Sequence, residues 1–250
     1  MTTSQSDKAA RFRALHEAPG VFVIPNPWDA GSARILAGLG FQALAQARAI
    51  VEATDLPVSA DLEKGFGDAP AAAAETIRLA AGVGLVGGSI EDATGDKDKP
   101  LYDVGHATER VAAAVQAARA LPFPFTLTAR AENFLRGHPD LDDTIRRLQA
   151  FEKAGADVLF APGLPDLAAV RAVCAAVSRP VNFMVGIKGK SFTVAELAAA
   201  GVRRISLATS LYRAAMSGLL DAAREVKDKG TFGYLDHSLS TPELNGFMQA

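Results

Sequence analysis

Asp61, Glu63 and Glu91 carry the first chemical signal in this chain. The apolar run LPVSADLE (56–63) ends in Asp61-Leu62-Glu63. In an extended strand the period of two puts Asp61 and Glu63 on one face and Leu62 on the other. Two carboxylates aimed at one cavity repel, and a hard cation relieves the repulsion. All-oxygen ligation, with no His or Cys nearby in the sequence, selects Mg²⁺, with Mn²⁺ second, over zinc. A second run, LVGGSIED (85–92), ends in Glu91-Asp92 and brings a third carboxylate to the same height if the two runs are neighbouring strands. Asp92 is read differently, as a solvated loop residue or helix cap, the ordinary role of an acid at a strand end.

The run FPFTLTAR (123–130) continues into Arg130-Ala131-Glu132, so Arg130 and Glu132 again share a face. The planar fork of an arginine beside a divalent cation suits a substrate carboxylate or phosphonate. The competing reading is an ion pair of Arg130 with Glu132 or Glu91, and both can hold together. Arg130, Glu91 and Glu132 are therefore the candidate catalytic groups. Candidate substrate contacts are Arg130 itself, Asn26 and Trp28 in the turn PNPWD (25–29), and Asn182, a polar residue among apolar neighbours that must find partners. Asp29 is expected to cap a helix. His16, His106, His138 and His237 fall in helices, loops or the tail, and none is placed as a general base.

These groups need elements that aim them at one place. Eight short apolar runs alternate with alanine-rich helical stretches: VFVIPNP (21–27), FQALA (41–45), 56–63, 85–92, 123–130, ADVLFAP (156–162), RPVNFMVG (179–186) and RRISLAT (203–209). Helices are expected at 30–39, 70–81, 107–120, 141–154, 166–177, 193–200 and 211–226, with Gly40, Gly155 and Gly201 as stops. Near-continuous apolar strands separated by helices indicate a parallel sheet covered on its outer face. Eight such units in 250 residues predict a (β/α)₈ TIM barrel over 1–229. An open doubly wound sheet would carry a glycine-rich phosphate motif, and neither G-x-G-x-x-G after the first strand nor G-x-x-x-x-G-K-[ST] occurs. Only ten residues separate Ala45 from Leu56, too few for a loop and a full crossover helix. The tail 230–250 differs in composition and is expected to pack on the barrel or on a neighbouring subunit.

Composition narrows the partners. A net charge of −2, with lysines and arginines scattered, gives no attraction to nucleic acid or to an anionic membrane. The one cysteine, Cys174, excludes an intramolecular disulfide. MTTSQSDKAARF lacks an apolar signal core and no run reaches membrane-spanning length, so a cytoplasmic protein acting on a small molecule is expected.

With the strand ends in place, the chain resembles the isocitrate lyase and phosphoenolpyruvate mutase superfamily. The resemblance is carried by PNPWDAGSARILAGLGFQALA, LPVSADLEKGFGDAP, GGSIEDATG, LTARAENFLRG, AGADVLFAPGL, RPVNFMVG and GVRRISLATSLYRAA, in the expected order over most of the chain. It implies a Mg²⁺-dependent enzyme that makes or breaks a C–C or P–C bond of a 2-oxo or 2-hydroxy carboxylate through an enolate. It further implies metal ligands at Asp61, Glu63 and Glu91, a substrate-binding Arg130, and a homo-oligomer, dimer or tetramer, that exchanges its last helix and tail between subunits. Two departures stand out. Ala45 passes directly to Gln46 where such enzymes continue into a Ser/Gly segment and a further aspartate, and the loop Thr94-Gly95-Asp96-Lys97-Asp98-Lys99-Pro100 lacks the Lys-x-Cys-Gly of the lyase branch. The alternative reading is a catalytically inactive barrel kept as a binding or scaffold protein.

Overall fold

Each apolar run contributes a strand shorter than itself, because its ends are spent on turns. The computed structural model describes residues 3–45 and 48–248. The strands are β1 (Phe22–Ile24), β2 (Leu44–Ala45), β3 (Val58–Asp61), β4 (Gly87–Glu91), β5 (Thr126–Arg130), β6 (Val158–Phe160), β7 (Val181–Met184) and β8 (Arg204–Ser206). All are parallel, in the order β1-β8-β7-β6-β5-β4-β3-β2. The two edges meet where the Ala45 N–H donates to the Pro25 carbonyl at 2.9 Å. The result is the expected (β/α)₈ barrel.

The helices are α1 (Gln5–Glu17), α2 (Ala30–Gly38), α3 (Arg48–Val51), α4 (Pro70–Gly82), α5 (Val104–Arg119), α6 (Leu141–Lys153), α7 (Leu167–Ala176), α8 (Val194–Ala199), α9 (Ser210–Lys229) and α10 (Thr241–Met248). Asp29 caps α2 as expected, accepting from the Ser32 N–H at 2.7 Å while the Ser32 hydroxyl receives the Trp28 and Asp29 amides. The main core lies between strands and helices, from Leu44 and Val58 round to Val202 and Ile205.

Helix α1 was not among the expected helices. It covers the amino-terminal ends of the strands, opposite the candidate site. Phe12 is fully buried in a small cluster with Ala9, Phe22, Ile24, Ala43 and Val86. Burying a phenylalanine of this kind contributes roughly 1.5–3 kcal/mol. Gly87 makes the space for it: a Cβ there would stand 2.7 Å from the Phe12 ring and 3.0 Å from the Thr126 carbonyl. His16, one turn on, stacks edge-on against Phe12 and Phe22, and Nδ1 donates to the Phe12 carbonyl at 2.9 Å. Burial and the charge of Arg204 push its pKa down to about 3, so it is a neutral packing residue.

The break in rhythm after β2 is filled by the one-turn α3; residues 46–47 of that junction lie outside the described residues. Within the single chain, α10 of the tail lies against α2. Arg34 Nη1 donates to the Met248 carbonyl at 2.8 Å, and Phe247 lies against Gly38 of α2. Helix α9 buries none of its 20 residues.

Candidate active site

Register brings the reactive groups to one height. Asp61 pairs with Ser89, Glu91 with Arg130, and Arg130 with Phe160, so β3, β4 and β5 end together at the carboxyl face of the barrel. That face is where barrels of this type hold their chemistry. Arg130 is the hub. Its Nη1 donates to Asp61 Oδ2, its Nε and Nη2 to Glu132 Oε1 at 3.1 and 2.8 Å, and its Nη2 lies 3.3 Å from Glu91 Oε2. The Phe160 ring lies beneath the guanidinium, 5.0 Å from centroid to Cζ. Arg136, in the turn after β5, donates to Glu91 Oε1 at 2.9 Å and stands 3.3 Å from Glu132 Oε2, at an angle too poor for a hydrogen bond.

Three carboxylates therefore share two guanidiniums, a surplus of one negative charge in a largely buried cluster. Burial, which would lower the pKa of Arg130, is outweighed by Asp61, Glu132 and Glu91, which hold it above its usual value. Glu91 absorbs the surplus. Burial, helped by Glu132 and Asp61 and opposed by Arg130 and Arg136, pushes its carboxyl up to about 7. A folded carboxyl raised above its unfolded value takes up a proton on folding. Its contribution to stability is full below about pH 4.5 and declines as pH rises through 7.

Two strand-end assignments need correcting. Strand β3 stops at Asp61, and Glu63 does not follow by period two: its φ is +49°, in the left-handed region, as is Phe66 at +55°. The chain turns sharply here, and the Glu63 N–H reaches Asp61 Oδ1 at 3.0 Å. Such backbone states cost of order 1–3 kcal/mol each and concentrate at functional sites. Glu63 nonetheless borders the same cavity as Asp61 and Glu91. Asp92 is neither solvated nor a cap. It is 2% exposed, accepts the Glu132 N–H at 2.8 Å and pairs with Arg147 at 3.0 Å, which fixes the turn that carries Glu132.

Asn26, Asp61, Glu63, Glu91, Arg130 and Asn182 line two cavities with one shared wall, and Glu132 lines neither. The outer cavity, about 430 Å³, is bordered by Asp61, Glu63, Lys64, Glu91, Arg130 and Arg136. The inner one, about 90 Å³ and inside the barrel, is bordered by Asn26, Ser59, Ser89, Asn182, Arg204 and Ser206, and again by Asp61 and Arg130. Asn182 finds the partners it needs: its Nδ2 donates to Ser206 Oγ at 3.0 Å and its Oδ1 accepts from Arg204 Nε at 2.8 Å. Trp28 borders neither cavity; it is 40% exposed and packs edge-on against Tyr212 at the start of α9. None of the four histidines borders either cavity. Lys64 ties the loops after β3 and β4 together, donating to Asp68 and to the Thr94 carbonyl, both at 2.6 Å.

Arg136, Lys64 and Arg204 were not singled out from the sequence. Arg136 follows Glu132 by four residues, a spacing that pairs charges across one turn. Arg204 is a charged residue inside an apolar strand run, the same anomaly that marked Asn182.

Among the described residues, no group of three or more His, Cys, Asp or Glu side chains is placed to hold a metal ion. The acids at the outer cavity offer oxygen donors alone. Mg²⁺ keeps several waters and is held through one or two carboxylates plus substrate, so this donor set fits a partly hydrated Mg²⁺ better than a fully chelated ion.

A parallel (β/α)₈ barrel with an acidic and arginine cluster at the ends of β3 to β5 defines the architectural class. Within it, the family model described as phosphoenolpyruvate phosphomutase matches residues 42–227. The chain belongs to the phosphoenolpyruvate phosphomutase family, within the PEP mutase/isocitrate lyase superfamily. Its fold is similar to that of a Burkholderia cenocepacia J2315 protein provisionally named a lyase/mutase, with TM-score 0.96 and 51% identity over 98% of this chain and 97% of that one. It is likewise similar to 2,3-dimethylmalate lyase, with TM-score 0.85 and 25% identity over 96% of this chain and 94% of that one. An oxaloacetate decarboxylase of Marinomonas sp. (strain MWYL1) is 28% identical, across 98% of this chain and 92% of the relative.

Proposed function

We propose that the protein is a Mg²⁺-dependent enzyme that breaks a C–C bond of a 2-oxo or 2-hydroxy carboxylate, with P–C cleavage as the variant of the same chemistry. The observation that carries this reading is the surplus carboxylate charge around a buried arginine at the barrel mouth. Such a cluster is completed by a proton or by a cation. The names of similar proteins, a decarboxylase and a lyase, favour carbon chemistry.

Asp61, Glu63 and Glu91 are the residues that would hold the ion. Bound magnesium supplies Lewis-acid stabilisation of the enolate charge that develops as the bond breaks. Arg130 holds a substrate carboxylate, which competes with Asp61 for Nη1. Glu132 keeps the guanidinium oriented by accepting from its Nε and Nη2. Without the ion, Glu91 holds a proton up to near neutral pH, because burial pushes its carboxyl up to about 7.

Metal uptake must then displace the Glu91 proton. Affinity for Mg²⁺ is expected to rise with pH up to about 7, by at most about tenfold per pH unit, with net proton release. Calorimetry in buffers of different ionisation enthalpy reads both, and an affinity flat from pH 5 to 8 would remove Glu91 from the ion's surroundings. A turnover screen of oxaloacetate, methylisocitrate, isocitrate and phosphonopyruvate with Mg²⁺ then fixes the reaction. The short α3 crossover favours a second reading, an inactive scaffold, which predicts no Mg²⁺ binding.

The same reading includes a homo-oligomer. It is supported by Leu219 and Leu220 on α9 and by Phe232, Leu235 and Leu239 beyond it, all exposed. Light scattering is expected to give a dimer or tetramer; a monomer at micromolar concentration would overturn it.

A further inference from the structure

The turn that follows β3 is held from outside. Within it the backbone enters the left-handed region at Glu63, Gly65 and Phe66, with φ of +49°, +80° and +55°. The Gly65 N–H donates back to the Leu62 carbonyl at 2.8 Å, and the carbonyls beyond are taken by side chains of α4 and α5. Arg110 Nη2 donates to the Lys64 carbonyl, and Arg110 Nη1 to those of Gly67, at 2.8 Å, and Asp68. Thr76 Oγ1 donates to the Gly65 carbonyl at 2.8 Å, and His106 Nε2 to that of Asp68 at 2.9 Å.

Arg110 is the centre of this stitching. It is 1% exposed, and the Tyr102 ring lies 4.7 Å from its Cζ. Its acceptors are neutral carbonyls, so the burial of its charge is costly. An apolar side chain would fill the same space at lower cost, and what the arginine adds is the shape of the turn. Its planar fork reaches carbonyls of residues 64, 67 and 68 at once, which a single ammonium does not. The turn so shaped carries Glu63 to the edge of the outer cavity, and the Glu63 carbonyl accepts the Glu91 N–H at 2.9 Å.

We propose that Arg110, assisted by Thr76, is a positioning residue of the cation site. It does not touch the ion. It fixes the backbone from which Glu63 reaches the outer cavity, so that the donor stands in place before a cation arrives. This rests on the reading that Asp61, Glu63 and Glu91 hold Mg²⁺, and adds what sets Glu63 there. Groups that orient metal ligands are typically worth about 10–100-fold in affinity.

The test is calorimetric titration of Mg²⁺ into the parent, Arg110→Lys, Glu63→Gln and the double variant, with amide hydrogen exchange on the metal-free proteins. Arg110→Lys keeps the charge and loses the fork. It is expected to weaken Mg²⁺ by about tenfold or more and to speed exchange of the Glu63 and Gly65 amides by a similar factor, leaving β5 unchanged. In the Glu63→Gln background the same substitution should cost less than about threefold, because a residue acting through Glu63 has nothing left to position. Thr76→Val, which withdraws the donor from the Gly65 carbonyl, serves if Arg110→Lys does not fold, and the same pattern is expected of it. Unchanged Mg²⁺ affinity or unchanged exchange in a folded variant, or a loss that adds in full to that of Glu63→Gln, overturns the proposal and leaves the proposed function standing. A parent that binds no Mg²⁺ overturns both.

Discussion

Asp61→Ala is expected to lower Mg²⁺-dependent turnover by about a thousandfold or more, since electrostatic stabilisation of an enolate is worth several kcal/mol and each 1.4 kcal/mol is tenfold. Asp61 ends β3, borders both cavities and has its side chain 55% exposed, so it is open to an ion arriving from solvent. The same exposure means that its loss costs the fold little. The variant should stay folded, with its melting temperature close to the parent's, while calorimetry shows Mg²⁺ affinity falling in parallel with rate. Asp61→Asn separates charge from shape and should behave like the alanine variant. A variant that binds Mg²⁺ and turns over as the parent does would rule out Asp61 as the ligand.

Arg130→Met is expected to strike stability and function together. Removing one partner of a buried ion cluster typically costs about 3–5 kcal/mol, because the charges left behind have lost their neutraliser. Here Glu132 is fully buried and Glu91 nearly so. At about 2–4 °C per kcal/mol for a domain of this size, the melting temperature should fall by roughly 6–20 °C. Carboxylate binding should vanish with it, and Arg130→Lys should restore charge and part of the stability without the bidentate grip. Added Mg²⁺ should raise the melting temperature of Arg130→Met more than that of the parent, since a cation then serves carboxylates that have no arginine. A thermal shift assay with and without Mg²⁺ reads both effects; a melting temperature within 2 °C of the parent, as estimated from the same scaling, would mean that the cluster contributes nothing.

Most of the barrel was legible because its signal is local. Eight apolar runs bounded by Gly, Pro and Asp became eight strands, and seven expected helices appear within a few residues of their expected ends. Helix α1 was missed because its buried side holds few large residues, Phe12 above all, among charged neighbours, and it gains its place only when Gly87 and Phe22 are beside it. The site was legible as a set of residues and less so as an arrangement. Period two held from Arg130 to Glu132 but failed at Glu63, where the backbone enters the left-handed region that non-glycine residues seldom signal. Asp92 looked like a loop residue because nothing local shows Arg147 arriving from α6. Arg204 was passed over as one letter in RRISLAT; strand pairing with Asn182 is what gives it meaning.

The wall between the two cavities is a single ion pair, Arg130 with Asp61, and this makes it a point of thermodynamic linkage. A cation that claims Asp61 frees a donor on Arg130, and an anion that claims that donor frees Asp61. Each ligand thus tightens the binding of the other by the same factor, a reciprocity that holds whatever the identity of either. Two weak affinities measured separately would understate what the barrel does when both ligands are present, and the order in which they arrive would matter to rates but not to the final occupancy.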